Sequence, residues 1–253
     1  MATAAVVASA AVVAACSDRD AGSAATTTTG TRAPSCRAGR GRDVTLRRDR
    51  QVVLVHLPAC YDRVTTRYPT VYLVHGSGAD ERQWVDIGMT SEADRLTRIA
   101  DIAPVILVMP REGETPSSGE ARDLVELVPW ADAHLRTVPD AAHRAAAGIS
   151  RGGEAALKVA AAHPELFGVV AAHSPTFPAD TAALAAGLPP LSGRIWLDAG
   201  ESDPLHLAVT RFARALDRDG TRADTQITPG GHDRDYWSAH TDDYLTFYAA
   251  RWR

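Results

Sequence analysis

Ala145-Ala146-Ala147-Gly148-Ile149-Ser150-Arg151-Gly152-Gly153-Glu154 is the stretch on which the reading of this chain turns. Small and apolar residues run into a serine, and a helical segment of alanine, leucine and valine follows it. Glycines stand two positions either side of the serine. Where a strand turns sharply into a helix, those positions face each other, and only residues with almost no side chain let the two elements approach. The serine at the apex is then held on a strained turn with its hydroxyl exposed. Serine alone is a weak nucleophile, so the motif predicts a histidine, an acid and an oxyanion hole elsewhere in the chain.

The order expected after such a serine is acid, then histidine, on loops at the C-terminal ends of parallel strands. The predicted strand 195–197 opens into Asp198-Ala199-Gly200-Glu201-Ser202-Asp203-Pro204, where three acids compete. Asp203 follows a glycine turn and can reach sideways, so it is the preferred acid. Asp198 ends the strand and reads as a structural hydrogen-bond acceptor, and Glu201 reads as solvated. Pro229-Gly230-Gly231-His232-Asp233 follows the last strand, and its glycines let the loop bend back over the serine. His232 is the expected base. His240 falls inside the final helix, and His173, at a strand end, is expected to line the site without acting in it. Asp233 and Asp235 read as solvated loop acids.

Two backbone N–H groups must face the developing oxyanion. One is expected at Arg151, at the start of the elbow helix where the helix dipole assists. The other is expected at Ser77, in the loop His75-Gly76-Ser77-Gly78 that follows a buried apolar strand. His75 and Trp84 are candidate substrate contacts, although Trp84 reads equally as packing beneath the site. Packing is the expected role of Trp237.

The rest of the chain supplies the scaffold. Two strands around residues 44–46 and 51–57, joined by Arg47-Arg48-Asp49-Arg50, read as a hairpin. From residue 70 onward, strands near 70–75, 104–109, 145–149, 167–172, 194–198 and 223–227 alternate with helical segments. Helices are expected at 91–99, 123–138 (kinked by Pro129), 154–162, 205–217 and 236–252. This alternation predicts a mainly parallel eight-stranded sheet with helices on both faces. Connections are short, which leaves little or no lid.

The chain has 253 residues, a formal charge of −4 and an apolar content of 45%, which fits one large α/β domain. Its slight acidity, with no basic stripe, argues against a nucleic-acid partner. Lys158 is the only lysine and asparagine is absent, a bias that reads as genomic; it also excludes N-glycosylation. Residues 1–16 read as a signal peptide whose end, Val13-Ala14-Ala15-Cys16, resembles a bacterial lipobox with Cys16 as the lipidated residue. Residues 17–35, rich in Ser, Ala, Thr and Gly, read as a disordered tether, and 36–253 as the domain. Cys36 and Cys60 remain as an even pair, expected to form a disulfide in an exported protein. The protein is thus expected outside the cytoplasm, either secreted or touching membrane only through a lipid anchor. No metal-ligand spacing involves the cysteines, and no metal or organic cofactor is expected.

Four segments together resemble the putative esterase family of α/β hydrolases, which includes feruloyl esterases, enterochelin-type esterases, S-formylglutathione hydrolases and antigen 85 mycolyltransferases. They are residues 61–84 with Tyr72-Leu73-Val74-His75-Gly76, then 148–153, 200–204, and Gly230-Gly231-His232-Asp233 with Tyr236-Trp237. His163-Pro164-Glu165-Leu166-Phe167 is similar to the family's helix exit. The likeness runs in order over residues 36–253. It implies an α/β-hydrolase fold with Ser150 as nucleophile, Asp203 as acid and His232 as base. Two departures stand out: Arg151 occupies a position where the family usually has methionine or glutamine, and the polar segment between Met109 and Asp123 is short. The chemistry implied is hydrolysis of a small-molecule or cell-envelope ester. An acyltransferase would use the same triad, and a non-catalytic surface binding protein is the third expectation.

Overall fold

The computed structural model describes residues 39–111, 119–188 and 194–252. The expected signal segment, the tether, Cys16 and Cys36 lie outside the described residues, as does the polar segment 112–118.

Among the described residues, eight strands form one sheet: β1 (Arg42–Arg48), β2 (Gln51–Leu57), β3 (Thr70–Val74), β4 (Ile106–Pro110), β5 (Arg144–Ile149), β6 (Val169–His173), β7 (Ile195–Gly200) and β8 (Ala223–Thr228). Their spatial order is β1-β2-β4-β3-β5-β6-β7-β8. β2 runs antiparallel to both β1 and β4, and every pairing from β4 to β8 is parallel. The sheet is therefore mixed at one edge and parallel around the elbow. The β1–β2 turn is tight, with Asp49 in the left-handed region at φ 52°.

The helices are α1 (Gln83–Asp86), α2 (Met89–Arg98), α3 (Gly119–His134), α4 (Arg151–Ala162), α5 (Thr181–Gly187), α6 (His206–Arg218), α7 (Arg234–Ala239) and α8 (Thr241–Ala249). Alternating strand residues divide the core into two layers. Val53, Val55, Tyr72, Val74, Val108 and Leu197 face a layer built with α3 to α6. Leu54, Val71, Leu73, Leu107, Met109 and Ile149 face the other, built with α1, α2, α7 and α8. A strand presents successive side chains to opposite faces, so near-continuous apolar runs are what a sheet covered on both sides requires.

One expected helix is two. The segment 236–252 breaks at His240, between α7 and α8. The His240 ring accounts for the break: its Nδ1–H donates to the Tyr236 carbonyl at 2.7 Å, taking the acceptor that the backbone of a continuous helix would use. Nε2 then accepts from Thr228 Oγ1 at 3.2 Å, which anchors the break to β8. The short α1 and α5 were not legible as helices.

Candidate active site

The C-terminal ends of β3, β5, β6, β7 and β8 finish at one edge of the sheet, with Val74 opposite Gly148, Ile149 opposite His173, His173 opposite Asp198, and Gly200 opposite Thr228. Ser150 occupies the step from β5 to α4 at φ 54°, ψ −118°, a conformation that costs a non-glycine residue about 1–3 kcal/mol. Two contacts make the glycine pattern obligatory. A Cβ on Gly148 would lie 2.1 Å from the Gly152 carbonyl carbon, and one on Gly152 would lie 2.4 Å from the Val74 carbonyl oxygen. The elbow thus wedges α4 against β3, and a Cβ on Gly76 would sit 3.5 Å from the Cβ of Ser150. The loop after β3 lies directly against the serine.

Asp203 is fully buried, and His232 donates from Nδ1 to Asp203 Oδ2 at 2.8 Å. The other carboxylate oxygen, Oδ1, accepts the Leu205 N–H at 2.7 Å. The acid and histidine loops meet because Gly200 has no side chain: a Cβ there would fall 2.3 Å from the Gly230 carbonyl oxygen. The edge of Trp237 packs against the His232 ring, with centroids 5.2 Å apart and an interplanar angle of 83°.

Beside the elbow lies a cleft of about 800 Å³. His75, Ser77, Gln83, Arg111, Arg151, Arg234 and Trp237 contribute to its walls, with Asp80 and Asp86. The Gly76 N–H donates to Gln83 Oε1 at 2.7 Å, which fixes the loop that carries Ser77. His75 donates from Nδ1 to the Gly76 carbonyl at 2.9 Å. Burial pulls its pKa below the ordinary value and the nearby Arg151 charge lowers it further, against the raising effect of that backbone hydrogen bond, so His75 is neutral at pH 7. Arg234 donates to the Asp86 carbonyl, linking two residues of the cleft wall.

Trp84 is corrected: it is fully buried in the layer beneath the site, edge-on to His173 at 5.9 Å, and does not reach the cleft. His173 is corrected too. It is completely buried behind the elbow rather than lining it. Asp198 is the structural acceptor its position implied, bonded to His173 at 2.6 Å and to Trp196 at 2.9 Å. Glu201 is exposed. Asp233 caps α7 by accepting the Tyr236 N–H at 3.0 Å. Gln83, Arg111 and Arg234 are cleft residues that no local motif announced.

A strained serine at a strand–helix turn, a histidine held by a buried carboxylate, and two loops converging on them define the fold and site of an α/β hydrolase of the serine class. The comparisons agree. The family model described as putative esterase matches residues 45–247, and the chain belongs to that family. An esterase of Mycobacterium tuberculosis is 32% identical over 136 residues, 48% of this chain and 28% of its own length. An endo-1,4-beta-xylanase/feruloyl esterase of Xylanibacter ruminicola is 33% identical over 134 residues, 47% of this chain and 18% of its own length. The matched part is thus less than a third of either relative. Among solved structures, a ferulic acid esterase superposes with a TM-score of 0.72 at 22% identity, covering 83% of this chain and 98% of that one. An S-formylglutathione hydrolase of Staphylococcus aureus gives 0.70 at 17% identity, covering 83% and 97%. These likenesses show the fold.

Proposed function

We propose that the protein is a serine esterase that hydrolyses carboxylic esters through an acyl-enzyme on Ser150. The observation that carries this reading is the 2.8 Å bond between His232 and the buried Asp203, at the same sheet edge as a serine held at φ 54°. With Nδ1–H donated to Asp203, Nε2 is the basic nitrogen of the ring. It takes the Ser150 proton as Oγ attacks the ester carbonyl. The Arg151 and Ser77 N–H groups receive the oxyanion. His232 returns the proton to the leaving alcohol, then removes one from the water that releases the acid. Asp203 holds the imidazole in one tautomer and stabilises its cation throughout.

The cleft walls are mostly polar and charged, which favours a short acyl group on a hydrophilic alcohol over a long lipid chain. Feruloyl esters are the first to test, since relatives carry that name. The apolar run at residues 2–15 supports export, with Cys16 lipidated or the segment simply cleaved. A bridge between Cys36 and Cys60 would accompany export.

The test is turnover of acetyl, butyryl and feruloyl aryl esters by the parent and by Ser150→Ala. The variant should lose turnover with its melt nearly unchanged; surviving turnover overturns the mechanism. Adding an alcohol acceptor measures how the acyl-enzyme divides between water and transfer, which separates hydrolysis from acyl transfer.

A further inference from the structure

Behind the nucleophile lies a second histidine–carboxylate pair. His173 ends β6 and Asp198 lies opposite it in β7. Both are sealed from solvent. Asp198 Oδ1 accepts from His173 Nδ1–H at 2.6 Å and from Trp196 Nε1–H at 2.9 Å, and Oδ2 accepts from the Tyr244 hydroxyl at 2.8 Å. The Tyr248 hydroxyl donates to His173 Nε2 at 2.6 Å. Burial, reinforced by the Asp198 charge, holds both phenols protonated far above their ordinary range, so both are donors. Each Asp198 oxygen thus has at least one N–H or O–H donor, and both His173 ring nitrogens have a partner.

The pair sends one connection to each side of the reaction centre. On the nucleophile side, the His173 carbonyl accepts the Ser150 N–H at 2.8 Å. On the base side, the Asp198 carbonyl accepts the Ser174 N–H at 2.7 Å, and Ser174 Oγ accepts Trp237 Nε1–H at 3.2 Å. Trp237 is the ring against which His232 packs. Ser174, like Ser150, has a positive φ, at 47°. Strained residues persist only where their surroundings over-determine them, and both are bonded into this one network.

We propose that Asp198 and His173 are positioning residues, holding the Ser150 elbow and the His232 ring in register from behind. They touch no substrate. The inference rests on the esterase reading above. A misplacement of about 1 Å at such a centre costs roughly 10²-fold in rate.

The experiment measures kcat, KM, fluorophosphonate labelling rate and melting temperature for Asp198→Asn, His173→Ala, His173→Asn and Ser174→Ala. Asp198→Asn and His173→Ala should lower kcat and labelling roughly 10²-fold at similar KM. His173→Asn keeps an N–H near the Nδ1 position and should recover a large part of the His173→Ala loss. Ser174→Ala cuts only the branch to Trp237 and should lower kcat roughly tenfold. If the Asp198 or His173 variants fail to fold, Ser174→Ala decides. Lowered melting temperatures with kcat intact, no recovery in His173→Asn, or full activity in Ser174→Ala overturns the inference. An unlabelled, inactive parent would instead remove the esterase reading, and this one with it.

Discussion

Raising the pH from 6 to 9 should weaken the fold by about 2 kcal/mol through a single side chain, His56. His56 lies on β2 opposite Asp43 of β1, and its ring is almost wholly buried. Nδ1 is 2.7 Å from Asp43 Oδ1, and Nε2 is 3.4 Å from Asp94 Oδ1 on α2. Asp94 also accepts the Gly41 N–H at 2.8 Å. Burial alone would lower the imidazole pKa. The hydrogen bonds and charges of Asp43 and Asp94 outweigh it and raise the value from 6.5 to about 8. A shift of that size corresponds to about 2 kcal/mol. Because the folded value lies above the unfolded one, the stabilisation is complete below pH 6.5 and is lost as the pH rises through 8. Urea unfolding of the parent and of His56→Gln at both pH values isolates the residue, since other titrating groups cancel in the difference. The parent should lose about 2 kcal/mol more than the variant over that interval. Equal losses, or an imidazole NMR titration with its midpoint at or below the ordinary histidine value, would refute the reasoning.

Other outcomes follow from the site. Ser150→Gly should melt above Ser150→Ala by the equivalent of roughly 1 kcal/mol, because glycine relieves the φ of 54° while both variants lose turnover. Equal melting temperatures would mean the elbow stores no strain. Asp203→Asn keeps the shape of the acid but favours the wrong imidazole tautomer, so kcat should fall about 10⁴-fold with substrate binding retained; a loss under tenfold would show that Asp203 is not the acid. Gly200→Ala drives a Cβ to 2.3 Å from the Gly230 carbonyl. It should separate the acid and histidine loops and cost about 1–3 kcal/mol along with most activity, read by thermal melt and ester turnover.

Much of this was legible in the sequence because it is local. The requirement for glycine at 148 arises within one turn of chain, against Gly152, and near-continuous apolar runs announce strands wherever both faces of a sheet are covered; the clash that bars a side chain at 152 comes from Val74 of β3 and exists only in the folded sheet. The closing helix was misread for the opposite reason. Its break is made by the His240 ring on the Tyr236 carbonyl, and that ring is held in place by Thr228 of β8, a contact that exists only once the chain has folded back upon it. Trp84 likewise carries no local mark of which layer it enters, and packing placed it under His173.

The acids show where the division falls. From the chain alone, Ser150 and His232 followed from their glycine-flanked loops, and Asp198 and Asp203 stood five positions apart as rivals on one loop. Their separation into two histidine pairs depends on register across the sheet. β6 sets His173 against Asp198, while the contact of Gly200 with Gly230 brings His232 to Asp203. Composition and spacing dictate which residues can adopt a strained turn or bury an apolar face, since those costs are paid within a few residues. Which carboxylate meets which imidazole is a through-space matter between strands distant in sequence, and it is settled only when the sheet closes.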